Sequence, residues 1–343
     1  MPLTDMPLEA LEEYRPAVRE PEDFDEFWEK TLAAAGESPE SLTGAEFRAV
    51  ESPLRTLDVL NVRFPGWGGQ PVAAWLVLPR GAAGPLPAVV SYVGYGGGRG
   101  LHTEHLLYAS AGYAHLVVDS RGQGHATPDP DPVPTPQYVR GFMTLGAASP
   151  QDHYFRRLIT DCARALDAVR AHPAVDPGRL VVQGHSQGGG LALAVAGLVG
   201  DGVAAALVDA PFLCHIRRGA ETAFQGPYTE IAEFLGIHQG MPPETVLGTL
   251  DYFDGVHFAP RATAPALFSV GLMDPVCPPS TVFAAYNRYG TAGDAAPPHR
   301  EISVWPYGDH AAGRHAQATE QFRWLGDRGI APDRAPEEHP APH

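Results

Sequence analysis

Residues 179–200 read RLVVQGHSQGGGLALAVAGLVG: an apolar run, a serine framed by glycines in Gly184-His185-Ser186-Gln187-Gly188, then a stretch rich in Ala, Leu and Val. A buried strand that turns at once into a helix leaves no room at its corner. A side chain at 184 or 188 would collide with neighbouring backbone, so both positions must be very small. The strain of such a turn holds the Ser186 hydroxyl clear of the sheet, and the flanking strand and helix patterns give the G-x-S-x-G spacing its meaning.

Other buried-strand runs repeat the theme: AVVSYVG at 88–94, AHLVVD at 114–119, AALVDA at 205–210, ALFSVG at 266–271 and EISVWPYG at 301–308. Near-continuous Val, Leu and Ile belong to strands covered on both faces, and helical patterns such as 156–171 and 187–199 fill the gaps. The fold class predicted is α/β, a mostly parallel sheet with helices on both sides. Ahead of it, TLDVLNVRF and PVAAWLVLP around GWGGQ form a hairpin over 56–79. Phe24, Phe27, Trp28 and Leu32 share one face of a helix over 21–35. Residues 211–262 are too long for a plain β–α connection and read as an insertion over the strand C-termini.

The chain has 343 residues with 40 acidic against 24 basic, a formal charge of −16. That is too long for a small stapled scaffold and too acidic for a general nucleic-acid binder, which needs a basic face. Nothing marks a linker, so one domain is expected over 1–330, with a helical extension at 1–55 and a Pro-rich, disordered tail at 331–343. Cys162, Cys214 and Cys277 form no CxxC pair, and no stretch approaches the roughly 18 apolar residues of a membrane span. With no export leader evident, the expectation is a cytoplasmic protein without membrane partners.

A serine hydroxyl is a poor nucleophile unless a base takes its proton and a carboxylate orients that base. His310, in YGDHAAG, follows the last apolar run; Asp274, in GLMDPVCPP, follows the one before. Asp209, at the end of AALVDA, is the rival acid. His185 points away from its neighbour Ser186 and is read as packing, while His315 lies outside the strand-end loop. The oxyanion donors would be the backbone N–H of Gln187, after the nucleophile, and of Tyr95, in the VGYGGGRG loop. That loop lacks the spacing of a dinucleotide or P-loop motif.

GYGGGRG at 94–100, RGQG at 121–124 and GHSQGGG at 184–190 together resemble the acetylxylan esterases and cephalosporin C deacetylases of carbohydrate esterase family seven, in the α/β-hydrolase superfamily. PFLCHIRR, DYFDGVHFAPRA and GLMDPVCPPSTVFAAYN extend the likeness over about 20–325. The resemblance implies a serine esterase acting on small acetylated substrates, short xylo-oligosaccharides and cephalosporin C. It implies Ser186, Asp274 and His310 as the triad, Tyr95 and Gln187 at the oxyanion hole, and a homohexamer. Arg121 is expected to tie loops together. One departure stands out: Ala311 follows His310 where the family usually has Glu.

No cofactor or metal is expected. A metal-dependent deacetylase would show clustered ligands, and His310 with His315 is not the i, i+4 zinc pattern. An oligopeptidase of this fold would carry a propeller of several hundred residues, and a dead binding scaffold would usually lack a triad member.

Overall fold

A computed structural model describes residues 5–34, 44–82, 84–131, 140–293 and 296–333. Nine strands form one sheet: β1 (Glu46–Ala49), β2 (Leu57–Pro65), β3 (Pro71–Pro79), β4 (Leu86–Tyr92), β5 (Ala114–Val118), β6 (Val175–His185), β7 (Ala205–Asp209), β8 (Ala266–Gly271) and β9 (Arg300–Trp305). Their spatial order is β1-β2-β3-β5-β4-β6-β7-β8-β9. The first four in that order are antiparallel, and from β5 through β9 every pairing is parallel. The C-terminal ends of β4, β6, β7, β8 and β9 therefore open onto the same edge.

The apolar runs are continuous because each face meets its own layer. Ala88, Val90, Leu180, Val182, Ala206 and Val208 join a core shared with the helices Tyr154–Arg170 and Gln187–Val199. The intervening Val89, Val181, Ala205 and Leu207 point the other way, into a smaller cluster with Tyr108, Trp324 and Leu325. Alternation along each strand is thus apolar on both sides.

The helix Phe24–Ala34 packs on the inserted segment: Trp28 meets Phe253 and Phe258 edge-on, with ring centroids 6.0 and 5.4 Å away, and its indole N–H donates to the Tyr252 carbonyl at 3.0 Å. Thr31 is buried there and Leu32 is only half-buried. The 1–55 stretch is not wholly helical, since β1 falls within it. Its EFRA sequence is an exposed edge strand with no apolar alternation to reveal it. Residues 211–262 contain the helices Ile216–Thr222, Thr229–Ile237, Pro243–Leu250 and Gly255–Phe258. Strand β9 stops at Trp305, earlier than expected, because Gly308 N–H turns back onto the Trp305 carbonyl at 3.0 Å. Of the tail expected to be disordered, residues 334–343 lie outside the described residues. No described helix is long and apolar enough to cross a membrane.

Candidate active site

Ser186 sits at the β6 corner with φ 59° and ψ −120°, a left-handed backbone that a non-glycine residue holds only under constraint. The constraint is visible: Ser186 N–H donates to the Asp209 carbonyl at 2.9 Å, while Gly190 and Phe212 N–H groups donate to the Ser186 carbonyl at 3.0 and 2.9 Å. A Cβ at Gly184 would lie 2.1 Å from the Gly188 carbonyl carbon, and one at Gly188 would lie 2.0 Å from the Tyr92 oxygen. Both glycines are required by contact.

His310 Nε2 lies 2.9 Å from Ser186 Oγ, and His310 Nδ1 lies 2.8 Å from Asp274 Oδ2. Asp274 keeps its orientation because its other oxygen accepts the N–H groups of Val276 at 2.8 Å and Cys277 at 3.0 Å. Asp274 is 3 % exposed and Ser186 7 %. The two loops that carry Asp274 and His310 are joined, with Met273 N–H donating to the Gly308 carbonyl at 2.9 Å.

Asp209 is engaged by other partners than His310. It accepts from Ser269 Oγ at 2.7 Å and Gln321 Nε2 at 2.6 Å, and burial pushes its pKa up to about 6 against those bonds. His185 does more than pack: its Nε2 donates to the His310 carbonyl at 2.6 Å, which places its proton on Nε2 and braces the backbone that carries His310. Burial lowers the His185 pKa, so the ring is neutral at pH 7. His315 is exposed on the helix Arg314–Asp327.

Gln187 opens its helix and Tyr95 lies in the loop after β4. Among the described residues no protein group accepts from either backbone N–H, and for Gln187 this is the free amide that a helix's first turn commonly leaves. A feature that sequence reasoning missed links the two. Gln123 Nε2 donates to Gln187 Oε1 at 2.7 Å, Gln187 Nε2 returns a bond to Gln123 Oε1 at 3.1 Å, and the same oxygen accepts Gly96 N–H at 2.7 Å. A glutamine within RGQG was the only signal. Arg121 of that motif is fully buried in a bidentate pair with Asp161 at 2.6 and 2.8 Å and reaches Gln70 and Asp129 at 2.8 and 3.1 Å.

Among the described residues, Asp274, Cys277 and His310 are the one group whose metal-capable atoms gather, within 4.8 Å of one another. Its chemistry suits a proton relay better than an ion. Asp274 and His310 already satisfy each other, and burial pushes the Cys277 thiol well above its usual range, leaving it protonated.

A mostly parallel sheet covered by helices, with a strained serine at a strand-to-helix corner and its hydrogen-bonded histidine on a later strand's loop, defines an α/β-hydrolase. The family model for acetyl xylan esterase matches residues 1–328, and the chain belongs to that family and is a carboxylic ester hydrolase. It is similar to the acetyl xylan esterase from Paenibacillus sp. R4, at 39 % identity and a TM-score of 0.86 over 94 % of this chain and 99 % of that one. It also resembles acetyl xylan esterase 1 from Thermoanaerobacterium sp. JW/SL YS485, at 31 % identity and a TM-score of 0.82 over 93 % and 98 % of the two chains. Acetyl esterase Axe7A from Xylanibacter ruminicola is 27 % identical over 91 % of this chain and 68 % of its own length.

Proposed function

We propose that this protein is a serine esterase that removes acetyl groups from short xylo-oligosaccharides and from cephalosporin C-like small molecules. The observation that carries the reading is the unbroken Ser186–His310–Asp274 hydrogen-bond chain at 2.9 and 2.8 Å. His310 Nε2 takes the Ser186 proton as Oγ attacks the acetyl carbonyl, and Asp274 holds the Nδ1–H tautomer and stabilises the imidazolium. The N–H groups of Tyr95 and Gln187 receive the oxyanion. The tetrahedral adduct collapses, the sugar oxygen leaves with the proton from His310, and an acetyl-serine remains. Water, deprotonated by His310, then adds to that ester, releasing acetate and returning the proton to Ser186. No cofactor enters.

The family resemblance supports the acetyl preference and a homohexamer, the single sheet supports one catalytic domain over 1–330, and three unpaired cysteines suit a reducing, cytoplasmic compartment. The test is a Ser186→Ala variant with p-nitrophenyl acetate beside butyryl and octanoyl esters and acetylated xylobiose. Loss of turnover in the variant and a wild-type preference for acetyl are expected. Full activity without Ser186 would defeat the nucleophile assignment, and a preference for long chains would defeat the acetyl reading.

A further inference from the structure

The helix Thr229–Ile237 in the inserted segment places Glu230 against the loop that carries Tyr95, 135 residues away in sequence. The Tyr95 hydroxyl lies 2.8 Å from both Glu230 oxygens, and Met143 N–H donates to Oε2 at 3.1 Å. Phe142 N–H donates in turn to the Tyr95 hydroxyl. The Tyr95 ring is held edge-on by Phe142 and Phe212, each with its centroid 5.8 Å away. The 140–143 turn closes so tightly over the carboxylate that a Cβ at Gly141, where φ is +102°, would lie 2.0 Å from it. Every hydrogen bond named here to Glu230 comes from a neutral donor. A carboxylate part-buried among neutral donors is costly to keep, and hydrophobic packing would seat a tyrosine more cheaply.

We infer that Glu230 is a positioning residue for the reaction: through the Tyr95 phenol it fixes the backbone loop whose Tyr95 N–H meets the oxyanion, so the inserted segment sets the geometry of the acyl-transfer step. This rests on the reading of Tyr95 as an oxyanion donor. Gln123 restrains the same loop from its other side through Gly96, so the phenol–carboxylate contact is the second of two anchors. Among the described residues, the groups that act on the carboxylate are Tyr95 from the β4 loop and Glu233 further along its own helix, while the 140–143 turn contributes the amides of Phe142 and Met143. Burial pushes the Glu230 pKa up to about 7. The ionised form accepts these bonds, so protonation as pH falls through 7 removes an acceptor and loosens the loop.

The experiment compares Glu230→Ala, Glu230→Gln, Tyr95→Phe and the Tyr95→Phe/Glu230→Gln double variant on p-nitrophenyl acetate, with thermal melts and fluorophosphonate labelling of Ser186. Glu230→Ala is expected to lower kcat by about ten- to a hundredfold, the scale of a small misplacement of a reacting group, with KM nearly unchanged. Tyr95→Phe should lose a similar factor, and the double variant should be no slower than the worse single. Glu230→Gln retains one acceptor, loses less, and removes the contribution of Glu230 to the acidic limb of kcat near pH 7. Unchanged kcat in a folded Glu230→Ala, or losses that multiply in the double variant, would overturn the inference. If Glu230→Ala does not fold, Tyr95→Phe, which removes one hydroxyl, and Glu230→Gln decide by the same criteria. Wild-type enzyme unlabelled at Ser186 would instead strike down the functional reading beneath it.

Discussion

Replacing Asp274 by Asn tests the site through a single atom. One carboxylate oxygen accepts two backbone N–H groups, at 2.8 and 3.0 Å, and the other accepts His310 Nδ1 at 2.8 Å. An amide has only one acceptor. If its NH2 faced Val276 and Cys277, two N–H donors would lose their partner, at about 1–3 kcal/mol for each buried group. The cheaper orientation keeps the oxygen on the backbone and turns the NH2 toward His310. The imidazole must then accept at Nδ1 and carry its proton on Nε2, where it can no longer take the proton of Ser186. Restoring the productive tautomer costs about what the rejected amide orientation does, some 2–6 kcal/mol. Mid-range, and with the imidazolium left uncompensated, kcat should fall about 10³- to 10⁴-fold. Stopped-flow hydrolysis of p-nitrophenyl acetate reads the loss, KM should change little, and fluorophosphonate labelling should slow in proportion. A loss below about thirtyfold, or an equal loss in Asp209→Asn, would refute the reasoning.

Two further outcomes follow from buried charge. The pKa of Asp209 is about 6 in the folded protein, above its usual carboxylate value of about 3.9, so ionisation opposes folding above pH 6 and the penalty fades as pH falls toward 4. Asp209→Asn should therefore gain melting temperature relative to wild type more at pH 8 than at pH 4.5; an equal difference at both would count against it. Arg121→Met leaves Asp161 buried without its bidentate partner and should cost about 3–5 kcal/mol in urea unfolding, whereas a loss under 1 kcal/mol would show the pair to be dispensable.

The parallel strands were legible because burial on both faces writes an uninterrupted apolar run, and the loops after such runs are where Ser186, Asp274 and His310 had to be sought. The structure brings these three into hydrogen-bonding distance and sets Asp209 against Ser269 and Gln321 instead. What stayed hidden has a common physical character. Strand β1 is four residues long and largely exposed, so no periodicity marks it. The Gln123–Gln187 amide pair and the Tyr95–Glu230 contact join residues 64 and 135 positions apart through polar groups that look like surface in any local window. The brace of His185 on the His310 carbonyl joins a side chain to backbone, which residue types do not encode.

Ser186 and His310 do not ride on equally secure strands. Ser186 follows β6, which is hydrogen-bonded on both flanks, and Asp274 follows β8, also flanked on both sides. His310 follows β9, the last in the sheet and paired among the described residues with β8 alone. Local opening begins where fewest hydrogen bonds must break together. Fraying at that margin would withdraw the imidazole while the serine stays seated in an intact core, so activity on heating is expected to fall before the core melts.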